Sequence, residues 1–326
     1  MKLIAVPTGE CHVTVVVVSY NGAPFISRCL ESLETSAIKL QVIVVDNNST
    51  DDTREIVSKF QAVELISNSA NAGFGIGCNI GISKALSRGA DHILLLNQDA
   101  QIKPDTVQLL LQTMQANPKI GIACPLQFTG NGETIDDVFL RYYLAVYGSQ
   151  LLSDAIRNEL KSSYVIEHTP AAAWLISANC LKEVGGFDPL FFMYGEDDDM
   201  SRRAAHHGYQ MAVVPTAHFF HLRALYAQGK PESIGRRIKK RTSRIRAALV
   251  TNAKNPQGSP LKNFYHTAVE QITGALSGLL GHLDWVPFIA SIMAICGTAL
   301  EFPRIVRHRH IALTKGAHWL RVGSGH

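Results

Sequence analysis

Val13-Thr14-Val15-Val16-Val17-Val18 runs directly into Ser19-Tyr20-Asn21-Gly22. The first six residues show no polar alternation. They read as a strand buried on both faces, the kind that parallel sheets contain, stopped by a polar turn. The same unit then recurs. Residues 24–35 form a helix with Pro24 near its start. Residues 42–45 form a second buried strand, ending in Asp46-Asn47-Asn48-Ser49. A helix over 51–60 opens with Asp and Ser capping chemistry. Strands at 63–66, 93–96 and 120–124 alternate with helices at 75–87 and 104–116. This order predicts an α/β fold with a mostly parallel sheet covered by helices. Ligands of such sheets bind at the carboxyl ends of the strands. Ser19, Tyr20, Asn21, Asp46 and Asn97-Gln98-Asp99 fall there.

From about residue 130 to 169 the pattern weakens and reads as a variable loop region. Order returns at 171–178. Gly185-Gly186-Phe187-Asp188-Pro189 is a turn, 198–207 a helix starting in an acidic cluster, and 211–214 a last strand. Beyond Leu222 the composition changes. Arg236, Arg237, Lys239, Lys240, Arg241, Arg244 and Arg246 form a basic run with no acidic residue among them. A break rich in Gly, Pro and Asn follows at 252–260, then an apolar stretch, 272–300, interrupted by His282, Asp284 and Pro287. Each apolar half is shorter than the roughly 20 residues that cross a bilayer. A straight span would also bury Asp284 near mid-membrane. Two short helices in a hairpin fit better, either on an anionic membrane surface, which the flanking cations favour, or packed in a dimer. The expected division is thus 12–222 and a C-terminal helical extension, 223–326.

With 326 residues and 46% hydrophobic content, the chain is long enough for one sizeable α/β domain plus an addition. Its six cysteines are scattered without a CxxC pair. That argues against a zinc cage or a disulfide framework, and for a reducing compartment. Residues 1–7 are too short in their apolar part for a signal peptide, so cytoplasmic residence is the expectation.

Several motifs carry chemistry. Gly195-Glu196-Asp197-Asp198-Asp199 crowds carboxylates beyond what one metal needs. Mutual repulsion and burial raise at least one pKa, which suits a proton acceptor; a helix N-terminus favoured by its dipole is the competing reading. Arg203, at helical spacing from Asp199, either ties that pair together or meets a leaving diphosphate. Asn97-Gln98-Asp99 is a variant of the DxD metal motif. Asp99 is the direct ligand and Asn97 a weaker one to metal, water or ribose, with Mg²⁺ or Mn²⁺ expected from the oxygen donors. Either His218 or His221 is placed to complete the metal shell. Asp46 can accept from a pyrimidine N3–H or a ribose hydroxyl, or cap the following helix. The glycines from Gly73 to Gly81 fail the dinucleotide spacing, because Cys78 or Ile80 stands at the third glycine position, which excludes a Rossmann dehydrogenase. They let a diphosphate or base approach the backbone, with Asn71 and Asn79 as anchors, or they serve close helix-to-sheet packing.

These segments together resemble inverting family 2 glycosyltransferases of GT-A fold, in the style of bacterial rhamnosyltransferases of surface polysaccharide assembly. The matching elements are Val-Ser-Tyr-Asn (18–21), Val-Asp-Asn-Asn-Ser-Thr-Asp (45–51), Asn-x-Gly-Phe-Gly (71–75) with Asn79, and Leu-Leu-Asn-Gln-Asp (95–99). They continue with Gly-Gly-Phe-Asp (185–188), Phe-Met-Tyr-Gly-Glu-Asp-Asp-Asp (192–199), Arg203 and His221. The resemblance implies that Asp197 deprotonates the acceptor hydroxyl, and that Asp99 with His221 holds the metal. It implies a nucleotide-sugar site from Ser19, Tyr20, Asn21, Asp46, Asn71, Gly73, Phe74, Asn79, Asn97, Gln98 and Arg203. Trp174 and Glu196 fall on the acceptor side, a core tryptophan being the other reading of Trp174. The implied reaction is one in-line displacement with inversion, from dTDP-rhamnose or alternatively a UDP-hexose or UDP-galactofuranose. The acceptor is a saccharide or lipid-linked saccharide at the inner membrane surface, and no nucleic acid partner is expected. A nucleotide-sugar binding protein would lack a base or a metal ligand. A nucleotidyltransferase would carry a basic loop after the first strand, where Ser19–Gly22 holds no cation.

Overall fold

The computed structural model describes residues 11–222 and 232–321. Residues 1–7, and the first residues past the expected boundary at 222, lie outside this range. In chain order the elements are β1 (Val13–Ser19), α1 (Ile26–Glu34), β2 (Leu40–Asp46), α2 (Thr53–Ser58), β3 (Val63–Ser67), α3 (Phe74–Ser87), β4 (His92–Asn97), β5 (Ala100–Ile102), α4 (Thr106–Ala116) and β6 (Ile120–Thr129). Then come α5 (Asp137–Phe139), a π turn (Leu140–Leu144), α6 (Ala145–Tyr147), α7 (Ser149–Ile156), β7 (Tyr164–Ile166), β8 (Ala173–Ser177), α8 (Ala178–Val184), α9 (Glu196–His206) and β9 (Gln210–His221). The C-terminal part is α10 (Ile234–Lys254), α11 (Pro260–His282), α12 (Val286–Leu300) and α13 (Phe302–Ala312).

One sheet runs β3-β2-β1-β4-β8-β6-β9-β5, with β7 paired to β9. Its β3-β2-β1-β4 half is parallel, as the uninterrupted apolar strands require. Register places Ser19 opposite Asp46 and Val18 opposite Asn97, so the polar strand ends form one row. Past β4 the sheet is mixed: β8 is antiparallel to both β4 and β6, and β9 is parallel to β6. β5 pairs antiparallel with β9 and sets Ala100 opposite His221. This delivers the last strand's end to the Asn97–Asp99 turn. Valines of β1 alternate between two buried clusters, Val16 on one face and Val15 and Val17 on the other. The α3 glycines serve the packing role. A Cβ at Gly77 would lie 2.7 Å from Val18 Cγ1, so the helix sits too close to β1 for a side chain there.

Residues 137–156, expected as loop, are largely helical. Their buried anchors Phe139, Leu144 and Leu151 are spaced by the π turn, which breaks the 3.6-residue period that a sequence scan seeks. The apolar stretch does form a hairpin, but its first arm is longer than expected: α11 runs 23 residues from Pro260, and meets α12 at Leu283, whose φ is +52°. Asp284 accepts from Val286 N at 3.2 Å and pairs with Arg237 at 3.4 Å. Among the described residues no single helix is long and apolar enough to cross a membrane. α12 and α13 pass that test only as a pair bent by 67°. Leu280, Leu283 and Leu300 are each more than four-fifths exposed.

Candidate active site

The loops after β1 and β2 brace one another. Asp46 is fully buried, and its carboxylate accepts from Ser19 Oγ (3.1 Å), from the Ser49 backbone N–H (3.0 Å) and from Ser49 Oγ, with Arg54 at 3.6 Å. Asn21, at φ +47°, accepts from Thr50 N at 2.9 Å. Asp51 accepts from Ala23 N at 3.1 Å. Gln98 accepts from Tyr20 N at 3.0 Å, which ties the first strand's turn to the fourth's. Asp46 and Ser19 therefore shape the floor of the site. The expectation that Asp46 touches the base is corrected, because its carboxylate is fully buried and turned into the loop.

Asp99 follows β4, and the end of β9 brings His221 Nε2 to 3.3 Å from its Oδ1. Gln127 Nε2 lies 2.9 Å from the other ring nitrogen, Nδ1, while Gln127 Oε1 is buried without a partner among the described residues. The Gln127 amide thus fixes the ring's orientation and keeps Nε2 facing Asp99, as the second residue beside a metal-ligating imidazole does. An oxygen–nitrogen pair so held fits Mg²⁺ or Mn²⁺. His218 is directed elsewhere, with Nε2 at 3.0 Å from the Pro215 carbonyl.

The acidic turn faces the same space. Tyr194 (φ +71°) and Gly195 (φ +84°) reverse the chain in left-handed conformation and start α9 at Glu196. Glu196 is buried and its Oε2 has no partner among the described residues. Burial, and then the Asp197 charge, push its pKa up to about 8. Burial also raises Asp197; nearby His168 opposes that rise and Asp198 adds to it. The pair resists double ionisation, so one carboxyl can hold a proton while the other takes one. Glu196, Asp197, Asp198, His221, Asn97 and Phe74 line one cleft of about 650 Å³, closed on the α10 side by Arg244 and Thr251.

Three further expectations are corrected. Trp174 is completely buried, donates to Thr169 Oγ1 at 2.8 Å and stacks on Phe187. It belongs to the core; Pro170, Ala171 and Ala172 of the same segment reach the cleft instead. Arg203 is also buried. It binds Asp199 at 2.8 Å and the carbonyls of Val184 and Gly186, each at 2.8 Å, so it cannot reach a diphosphate. Asn79 is clamped to both backbone groups of Phe187 at 2.7 Å, which fixes α3 to the turn before α9. Asn71 accepts from Gly73 N at 2.9 Å and holds the entry of α3.

Residues missed in the sequence include His168, Gln127 and Lys254. His168 Nε2 lies 3.4 Å from Asp198, and Nδ1 is 3.0 Å from Ser201 Oγ. Its ring, Asp197 and Asp198 offer ligand atoms within 4.8 Å of one another, a second place where a cation fits. Lys254, almost fully buried, pairs with Asp199 at 2.6 Å and with Asp188. It joins α10 to the acidic helix. No local motif marks these residues; long-range packing alone brings them in.

The sequence model of glycosyl transferase family 2 matches residues 14–177, half of the chain, and so covers the braced loops and the Asn97–Asp99 turn. The chain belongs to glycosyl transferase family 2. This family 2 glycosyltransferase is 28% identical over 233 residues to the N-acetylglucosaminyl-diphospho-decaprenol L-rhamnosyltransferase of Mycobacterium tuberculosis, covering 64% of this chain and 76% of the relative. It is 25% identical over 226 residues to the rhamnosyltransferase WbbL of Escherichia coli, covering 64% and 83%. Its fold is similar to the mannosyltransferase PcManGT of Pyrobaculum calidifontis, solved in complex with GDP-Man and Mn²⁺. There the TM-score is 0.54 at 18% identity, over 94% of this chain and 87% of that one. The α/β glycosyltransferase fold with its helical C-terminal part is thereby established.

Proposed function

We propose that this glycosyltransferase is inverting and metal-dependent. It moves L-rhamnose from dTDP-rhamnose onto a hydroxyl of a saccharide or lipid-linked saccharide in surface polysaccharide synthesis. The observation that carries this reading is the meeting of the Glu196–Asp198 turn and the Asp99–His221 pair at one cleft. The rhamnosyltransferase relatives support the sugar.

Asp197 removes the acceptor proton as the oxygen attacks the anomeric carbon; the bond to the nucleoside diphosphate breaks and the configuration inverts. Glu196, protonated below about pH 8, holds off a second negative charge and donates to the acceptor. Asp99 and His221 would hold a divalent cation, which supplies positive charge against the diphosphate. Tyr20, Asn71, Phe74 and Asn97 remain open enough to contact the donor. Residues 12–222 form the catalytic unit in this reading. Residues 223–326 bring it, peripherally, to the cytoplasmic face of a membrane through the exposed apolar face of α11 and α12. A donor panel tests the sugar: with Mn²⁺, nucleotide release should be fastest from dTDP-rhamnose. Faster release from a UDP-sugar would move the assignment to a UDP-hexose or UDP-galactofuranose transferase.

A further inference from the structure

Beside the active cleft lies a second groove of about 640 Å³, formed where the segment before α9 meets α10 and α13. Its floor and near wall are apolar: Leu190, Phe191, Phe192 and Met193. Its far rim is cationic: Arg236, Lys239 and Lys240 of α10, Arg246 deeper in, and Arg304 of α13. Lys240 pairs with Glu232 and Arg246 with Glu301. Arg236, Lys239 and Arg304 are exposed and meet no carboxylate among the described residues.

Exposed cations on a helix are ordinarily a solvated face. Three observations separate this groove from that case. Positions 236, 239, 240, 243, 246 and 247 recur at helical spacing, so the charges stand on one face of α10 and converge on one depression. The opposite wall is apolar, with Phe192 56% and Met193 48% exposed, where a solvated face would be polar. Met193, Tyr194 and Ala247 also line the catalytic cleft, so the two cavities share a wall. Tyr194 is in left-handed backbone conformation, and Arg244 lies over its ring at 5.3 Å, which fixes that wall.

We propose that this groove is the seat of the acceptor's diphosphate and of the first part of its lipid. The inference rests on the glycosyltransferase reading of the neighbouring cleft. A ligand with a sugar, a diphosphate and an apolar chain in that order matches the succession of surfaces: carboxylates at Glu196 and Asp197, cations at Arg236, Lys239 and Arg304, then Phe192 and Met193. Guanidinium and ammonium groups suit phosphate oxygens, and an apolar wall suits a prenyl chain but not a free nucleotide.

The test uses the full chain and geranyl diphosphate as probe, with titration calorimetry as readout. Wild type should bind geranyl diphosphate more tightly than inorganic diphosphate or geraniol, and dTDP with Mn²⁺ should not displace it. Arg236→Gln/Lys239→Gln/Arg304→Gln should weaken geranyl diphosphate about a thousandfold, roughly tenfold for each of the three charge-assisted hydrogen bonds to phosphate that the variant cannot make. The same variant should bind dTDP unchanged. Phe192→Ser should erase the preference over inorganic diphosphate. Equal binding by the triple variant overturns the proposal, as does displacement by dTDP, which would place the probe in the donor site. Loss of binding to phosphatidylglycerol vesicles while geranyl diphosphate binding persists would assign the cations to bilayer headgroups instead. If wild type fails to bind dTDP, the glycosyltransferase reading fails, whatever the geranyl arms show.

Discussion

Lys254 offers a sharp perturbation of the site's frame. Its ammonium sits between two buried carboxylates, Asp188 and Asp199, and beside the rings of Phe191 and Trp319 at 5.3 and 5.4 Å. Asp199 is also held by Arg203, and Asp188 by His308 at 2.7 Å. Burial alone would raise the Asp188 pKa; the His308 hydrogen bond and the Lys254 charge reverse this and hold it below the usual carboxylate range. Lys254→Met keeps the volume and removes the shared cation. Breaking a buried ion pair costs about 3–5 kcal/mol, because the partners stay buried without it. For a chain of 326 residues that lowers Tm by about 4–7 °C. Asp199 lies two positions past Asp197 on the first turn of α9, so the loss should also displace Asp197 and reduce transfer by roughly tenfold or more. Calorimetric melting and initial rates are the assays. Lys254→Met/Asp188→Asn should recover part of the loss, with a coupling of about 1–3 kcal/mol. A melting temperature within about 1 °C of wild type and an unchanged rate would show that α10 does not support the acidic helix.

Asp99→Ala should abolish the Mn²⁺ dependence of dTDP binding while His168→Ala preserves it; the reverse pattern would move the cation to the His168–Asp197–Asp198 cluster. Glu196 carries a raised pKa, so between about 4.5 and about 8 the folded chain holds a proton that the unfolded chain has lost. Its contribution is most favourable at low pH and falls as pH rises through that window, by about 1.4 kcal/mol per unit. Glu196→Gln should therefore gain in Tm over wild type from pH 5 to pH 8.5, and parallel profiles would contradict the burial argument. The exposed α11–α12 face predicts co-sedimentation of the full chain with anionic liposomes, reduced by salt but not removed. A chain that stays in the supernatant at low salt would favour a dimer interface.

The parallel half of the sheet was legible because runs such as 13–18 and 93–96 show no alternation and end in polar turns. The turn of the hairpin was legible because Asp284 and Pro287 interrupt the apolar run, but the start of its first arm at Pro260 was not, since residues 260–271 carry no continuous apolar pattern. The mixed half was not, since β8's neighbours are set by long-range pairing and β5 is only three residues long. At the site, Asp99, His221 and the acidic turn share one region of the structure. Arg203, Asn79 and Trp174 were misread because a motif position does not say whether a side chain faces the cleft or the frame. Arg203 and Asn79 hold the turn that presents Glu196, and Trp174 packs beneath it on Phe187. Asp46 likewise braces a loop.

The central claim is that Asp197 is the base of an inverting transfer in this cleft. The most direct test follows dTDP-rhamnose and a lipid-linked saccharide acceptor by NMR, with wild type and Asp197→Asn in parallel. The account predicts a rhamnoside of anomeric configuration opposite to the donor's, and a rate at least roughly 10²-fold lower in the variant with dTDP affinity kept. A product of retained configuration, or an Asn variant that transfers at the wild-type rate, would contradict it.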